Sequence, residues 1–182
     1  LKVGARVMDY GTGAQAAFAI ASALFQRTRT NRGQLIDVAM LDAALMLLTM
    51  NVVNQVASGA PSEPRGNRDS ENAGYSCYDT KQGLLMLGAY TGKQQARLWR
   101  LLGRDDIAGE VEFCSFDELR SRGNLDARLL QAIFLTKAAR EWERELAKAR
   151  VPAARVRTLA ESLAEGHWQE RGALLPQSAP LR

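Results

Sequence analysis

Asp9-Tyr10-Gly11-Thr12-Gly13, running into Ala14-Gln15-Ala16-Ala17-Phe18-Ala19-Ile20-Ala21-Ser22-Ala23-Leu24-Phe25, is the stretch on which the fold of this chain turns. Ala16, Ala17, Phe18, Ile20, Ala21, Leu24 and Phe25 recur at helical spacing and predict a helix over residues 14–27. Alanine is the best helix former, and the run is apolar nearly all round, which predicts burial on most sides. The helix closes at Arg27-Thr28-Arg29-Thr30-Asn31-Arg32-Gly33, a charged turn ended by glycine. Residues 34–40 (Gln-Leu-Ile-Asp-Val-Ala-Met) are short and β-branched and predict a strand, and a Leu- and Met-rich helix follows over 41–57. With a further strand implied just before Asp9, the order is the rhythm of a parallel α/β sheet.

Past residue 57 the character changes. Residues 58–74 hold Gly59, Gly66, Gly74, Pro61 and Pro64 among alternating charges, the composition of a linker or a long functional loop. Tyr75-Ser76-Cys77-Tyr78 and Leu84-Leu85-Met86-Leu87 flank Asp79-Thr80-Lys81-Gln82-Gly83 and predict a hairpin. Helices are expected over 92–102, 116–121, 125–134 and 137–149, the last stopped by Pro152. Residues 151–156 read as a strand and 159–165 as one more short helix. The expected divisions are therefore 1–57, a linker at 58–74, a small α+β domain over 75–165 and a closing segment at 166–182.

Composition narrows the function. The chain has 182 residues, 24 Lys and Arg against 20 Asp and Glu, a net charge of +4, and 46% hydrophobic residues. That is ordinary globular composition, with enough apolar content for a core. The positive charge is scattered and not interleaved with aromatics, so nucleic-acid binding is not expected. No run reaches about 18 uncharged apolar residues, so no transmembrane helix is expected. The chain starts at Leu1 in mid-pattern and reads as a piece of something longer. Cys77 and Cys114 have no metal-ligand spacing and read as buried or half-buried thiols of a reducing, cytoplasmic compartment. His167 is the one histidine, so any histidine-based triad would have to be built on it.

Asp9 is where chemistry is expected. Two glycines within three residues let a backbone turn sharply and a ligand come close. The positive end of a helix dipole and the free N–H groups of a first turn stabilise a negative charge. At the C-terminal edge of a strand in an open α/β sheet, that is where ligands bind. A carboxylate so placed is a competent nucleophile toward an activated acyl group. The same residues also read simply as a helix cap, Asp9 or Thr12 accepting from the first turn. Local spacing leaves both readings open, and Gly11 and Gly13 do not meet a phosphate-loop spacing.

The sequence as a whole resembles the class III (CaiB/BaiF) CoA-transferases, a family that includes formyl-CoA transferase, carnitine-CoA transferase and alpha-methylacyl-CoA racemase. The resemblance is carried by Asp9-Tyr10-Gly11-Thr12-Gly13, by the long block from Ala23 through Arg27-Thr28-Arg29-Thr30-Asn31-Arg32-Gly33-Gln34 to Ala44, and by Pro64-Arg65-Gly66-Asn67. It continues through Tyr75 to Gly83, Gly88-Ala89, Gln94, Val151-Pro152-Ala153-Ala154 and Glu170-Arg171-Gly172. It implies that Asp9 is the catalytic nucleophile, that CoA or acyl-CoA is substrate, and that no metal or covalently bound cofactor takes part. Its partners would be an acyl-CoA, a carboxylate acceptor and a second copy in an interlocked homodimer. The fold implied is α/β: the end of a Rossmann-like large domain with a linker helix, then a small α+β domain and a return toward the large one. Family members are about twice this length, so the resemblance also implies a fragment that is inactive by itself.

Two alternatives are weighed. A racemase-type isomerase would place a glutamate just after the Gly-Ala that matches Gly88-Ala89, but Tyr90-Thr91-Gly92-Lys93-Gln94-Gln95 carries no carboxylate. Thr12 also fits the transferase form, where racemases tend to have glycine. The other alternative is a catalytically incomplete piece that only associates. Some transferases close a run of glycines over the intermediate. Between Gly59 and Gly74 there is no such run, and Gly66 and Asn67 are the candidate substrate-binding residues in its place, against the plainer reading of a linker. Arg27, Arg29 and Arg32 are weighed as phosphate contacts against a solvated helix end, and Trp99, Trp142 and Trp168 are expected to pack.

Overall fold

The computed structural model describes residues 4–59, 66–67 and 72–173. The chain divides into two compact units, Leu1–Pro64 and Arg65–Arg182, each taken here by itself. The division falls within the stretch read as a linker, much of which lies outside the described residues, as does most of the closing segment at 166–182.

The first unit is helical. α1 (Val7–Thr30) takes in the whole alanine run and begins well before residue 14, so Gly11 and Gly13 lie inside the helix. Asn31, in the left-handed conformation at φ 52°, ends it. The expected strand over 34–40 is not formed. The backbone there is extended, with Ala39 at φ −104° and ψ 142°, but among the described residues of this unit no strand exists to pair with it. An extended segment without a hydrogen-bonding neighbour is not a strand, whatever its propensity. The strand implied before Asp9 is likewise absent from the described residues. The predicted helix over 41–57 forms as two pieces, α2 (Met40–Leu47) and α3 (Thr49–Ser58), bent by 72°. No single helix among the described residues is long and apolar enough to cross a membrane; α2 and α3 match that composition only as a bent pair. α1 packs on α2, yet none of its residues is buried, and Ala43 is the buried hydrophobic residue among those described in this unit. Burial of the alanine helix was the expectation, and this unit does not supply the surface for it.

The second unit has the core. β1 (Cys77–Asp79) pairs antiparallel with β2 (Leu84–Leu87), which pairs antiparallel with β3 (Ala153–Arg155). Tyr78, Leu85 and Leu87 point from the sheet into a cluster closed by α4 (Gly92–Leu101), α5 (Asp105–Val111), α6 (Phe116–Phe134) and α7 (Ala139–Lys148). Phe134 lies between Tyr78, tilted against it, and Trp142, edge-on to it, with ring centroids 5.2 and 5.3 Å away, and Trp142 donates its indole N–H to the Phe134 carbonyl. Rings of this size account for much of the apolar area a small core removes from water. α6 runs unbroken where a break was expected near Gly123. Gly123 is buried, and Arg122 donates to the sealed Asp126 at 2.9 Å one turn on, so the helix is tied across the glycine. Thr91, Ser115 and Thr158 each start a helix with a reciprocal capping box.

Asn72 joins the segment ahead of β1 to the β2–α4 connection. Its side chain donates to the Tyr90 carbonyl at 3.0 Å and accepts from the Gly74 N–H at 3.0 Å and Gln95 Nε2 at 2.9 Å. Its carbonyl accepts from the Tyr75 N–H and the Ser76 hydroxyl. Gly74 presses so closely on this junction that a Cβ would sit 1.9 Å from the Ala89 carbonyl oxygen. Further along, α8 (Leu159–Ala164) is clasped to β3 and α7 by ion pairs. Arg155 meets Glu161 at 2.8 Å and Glu165 at 2.9 Å, while Arg157 meets Glu165 at 2.7 Å and Glu143 at 2.9 Å. α9 (His167–Glu170) follows, and Trp168 donates its indole N–H to Ser162.

Asn72→Ala strands the Gln95 amide and the Gly74 N–H in a sealed site, and it is expected to destabilise the second unit by about 2–3 kcal/mol. Urea denaturation followed by tryptophan fluorescence checks this. The Glu161 carboxyl is held at about 2, below its ordinary 4.5, first by the Thr158 backbone N–H and then by Arg155. A depressed carboxyl contributes stability that is present above the ordinary value and lost as the pH falls through the folded one. The indole N–H resonance of Trp168 should therefore shift between about pH 4.5 and about pH 2, and Glu161→Gln should remove that share of the transition.

Candidate functional site

Asp9 stands in the first turn of the 24-residue α1, with its side chain exposed. The backbone around it is helical: the Tyr10 N–H donates to the Arg6 carbonyl at 3.1 Å. The glycine-hinged turn expected at a strand end is thus replaced by a helix start. Arg6, at the N-cap, makes no side-chain cap, so first-turn N–H groups remain for other partners. What survives of the expectation is the carboxyl at the positive end of a long helix dipole. The hydroxyl oxygen of Thr12 is shielded from solvent without a hydrogen-bond partner, so Thr12 is not the cap either. Beside this turn, α1 meets α2 near Gly11, where an added Cβ would lie 3.9 Å from Leu47 Cδ1. One turn on, Gln15, Phe18, Asp37, Val38, Asp42 and Met46 line an open trough.

Gly66 and Asn67 belong to the second unit and rim a groove there of about 460 Å³. Gly66 takes φ +62°, a conformation that favours glycine. Its turn seats the Asn67 carbonyl on the Cys77 N–H at 2.9 Å, so the pair is hydrogen-bonded to the start of β1. Below them lie Tyr75, Cys77, Leu84, Met86 and Val156. The linker reading missed these five. The signal was available in Leu84-Leu85-Met86-Leu87, which is apolar on both faces, whereas a half-solvated strand alternates with polar residues. Burial raises the Cys77 thiol above its ordinary value, and the nearby Asp79 charge adds to this. Cys77 therefore serves as apolar wall, not as a thiolate nucleophile.

Other chemistry is thinly represented. No cluster of His, Cys, Asp and Glu that could hold a metal exists among the described residues. Arg155 and Arg157 are taken up by Glu143, Glu161 and Glu165. Arg29 lies over the Phe25 ring at 4.6 Å, and Arg27 and Arg32 are exposed with it at the end of α1. Trp99 and Trp142 are core residues, while Trp168 is half-exposed.

Comparison with known proteins adds the following. The family model for CoA-transferase family III matches residues 1–180. The succinate–glutarate CoA-transferase of Agrobacterium fabrum is 30% identical over 176 residues, covering 94% of this chain and 43% of that protein. The succinyl-CoA:mesaconate CoA-transferase of Haloarcula marismortui is 27% identical over 179 residues, covering 98% of this chain and 44% of that protein. A CaiB/BaiF family protein from Brucella suis has the same fold in its crystal structure, at a TM-score of 0.73 and 28% identity, covering 100% of this chain and 50% of that one. The chain spans less than half the length of those two relatives.

Proposed function

The chain belongs to CoA-transferase family III, and on that footing we propose that it carries the reacting carboxylate, Asp9, of an enzyme that moves CoA between carboxylic acids. The similar proteins named as CoA-transferases support the reaction class. One observation within the chain supports the residue: Asp9 stands in the first turn of a long helix whose N-cap, Arg6, provides no side-chain cap, so backbone N–H groups there remain for an anionic partner.

The reaction runs in balanced steps. The Asp9 carboxylate attacks the thioester carbonyl of the donor, the C–S bond breaks, and CoA leaves as thiolate while an aspartyl–acyl anhydride forms. The thiolate then attacks the aspartyl carbonyl, releasing the donor acid and leaving an aspartyl-CoA thioester. An acceptor carboxylate attacks that thioester and expels the thiolate again. The thiolate finally takes the acyl carbonyl of the new anhydride, giving the product acyl-CoA and restoring Asp9. Gly66 and Asn67 are assigned to substrate binding. No metal or bound cofactor is called for, since carboxylate and thiolate supply both nucleophile and leaving group. The whole enzyme is read as a cytoplasmic, interlocked homodimer. In it residues 1–57 end a Rossmann-like large domain, 75–165 form the small domain and 166–182 return to the large one. The 182-residue chain alone is read as inactive.

In the enzyme of family length, Asp9→Ala and Asp9→Asn are each expected to lower kcat by at least about a thousandfold with the fold intact by circular dichroism. Wild-type enzyme incubated with acyl-CoA and then hydroxylamine should carry a hydroxamate at Asp9 by peptide mass spectrometry. Transfer retained by Asp9→Ala, or no label at that residue, would overturn the assignment.

A further inference from the structure

We propose that the Thr12 hydroxyl donates a hydrogen bond to the reacting carboxyl group, meeting the negative charge that develops on an Asp9 oxygen during transfer. This rests on the reading of Asp9 as the nucleophile of a CoA transfer. A hydroxyl inside a helix has a partner at hand, the carbonyl three or four residues back. Thr28 donates in this way to the Phe25 carbonyl at 2.7 Å and Thr30 to that of Gln26 at 3.1 Å, both in α1. Ser58 does the same toward Asn54 at 2.7 Å in α3. Thr12 does not. Its oxygen is shielded from solvent, and neither Met8 nor Asp9, whose carbonyls stand at those two positions, accepts from it. A hydroxyl that gives up both water and its local partner costs free energy in the resting protein, and calls for a partner that arrives later.

Position identifies that partner. Residues three apart share a helix face, with Cβ atoms about 5–6 Å apart, and helical side chains lean toward the N-terminus. Thr12 therefore leans back over the turn that carries Asp9, whose own side chain is exposed and open to a substrate. When the CoA thiolate attacks the aspartyl carbonyl of the anhydride, a C–S bond forms and the carbonyl π electrons move onto the Asp9 oxygen. The carbonyl is then restored as the C–O bond to the donor acyl group breaks and the donor acid leaves as carboxylate. Thr12 donates to the Asp9 oxygen while it carries this charge, and keeps its own proton throughout. The bond is absent from the resting carboxylate and made at the charged stage, so it speeds the reaction without tightening substrate binding. A hydroxyl already shielded from solvent has no water to shed in making it.

The test is made in the enzyme of family length, where Thr12→Val replaces the hydroxyl with a methyl group of similar size. Its kcat is expected to fall about a hundredfold with KM within about twofold of wild type, and Thr12→Ser should recover most of the rate. The urea unfolding midpoint of Thr12→Val should stay level or rise, because the change removes an unpaired buried oxygen. In rapid-quench single turnovers, the CoA adduct at Asp9, read by peptide mass spectrometry, should form about a hundredfold more slowly in Thr12→Val. Wild-type kcat or unchanged adduct formation in Thr12→Val, an equal loss in Thr12→Ser, a loss confined to KM, or a lowered midpoint would overturn the proposal. The two assignments fail separately. An inactive Asp9→Ala beside a fully active Thr12→Val removes the role of Thr12 alone. Transfer retained by Asp9→Ala removes the nucleophile, whatever Thr12→Val does.

Discussion

The carboxamide of Asn72 is sealed from solvent with its oxygen accepting two hydrogen bonds and its nitrogen donating to the Tyr90 carbonyl. A buried amide so engaged is costly to disturb, because every broken bond leaves a polar atom without water or protein to satisfy it. The segment before β1, the connection from β2 to α4, and α4 itself are thereby one object. Tyr75 follows from it directly. The close approach of Gly74 to the Ala89 carbonyl is part of the same junction, since only a residue without Cβ lets the two loops meet. The groove of the second unit depends on this fixed corner.

The two units stand in physical contrast. The second buries Tyr78, Trp99, Phe134 and Trp142 against a sheet and four helices, the arrangement from which small domains derive most of their stability. The first holds an alanine helix with no buried residue and a bent Leu- and Met-rich helix pair, with Ala43 its buried hydrophobic among the described residues. Helices apolar on most sides belong against other surfaces. The candidate nucleophile thus stands on the unit that buries least of itself, and the candidate substrate groove on the unit that buries most.

How much could be read in the residues follows the range of the forces involved. The hairpin was legible because a glycine-closed turn and two apolar runs are local features, and Gly83 does take φ +84° there. Helices α4 and α8 were legible from periodicity, and their capping boxes lie within four consecutive residues. α5 went unread because seven residues after Gly103 carry too little pattern to separate a helix from a loop. The break expected in α6 did not occur because Asp126, sealed from solvent one turn past Arg122, accepts from its guanidinium across Gly123. The strand at 34–40 failed for the opposite reason: its residues suit a sheet, but a sheet needs a neighbour that propensity cannot supply.

By itself the sequence determined the family, the positions of α4 and α8 and the antiparallel hairpin, and it singled out the one carboxyl worth testing as a nucleophile. All of these rest on residues within a turn or two of each other, or on motifs that need no partner. Only the tertiary structure decided that Asp9 stands in the first turn of a helix instead of ending a strand, that Gly66 and Asn67 rim a groove, and that Leu84, Met86 and Val156 lie beneath them. Those facts depend on which distant residues meet, and burial and charge pairing are properties of that meeting, not of spacing along the chain.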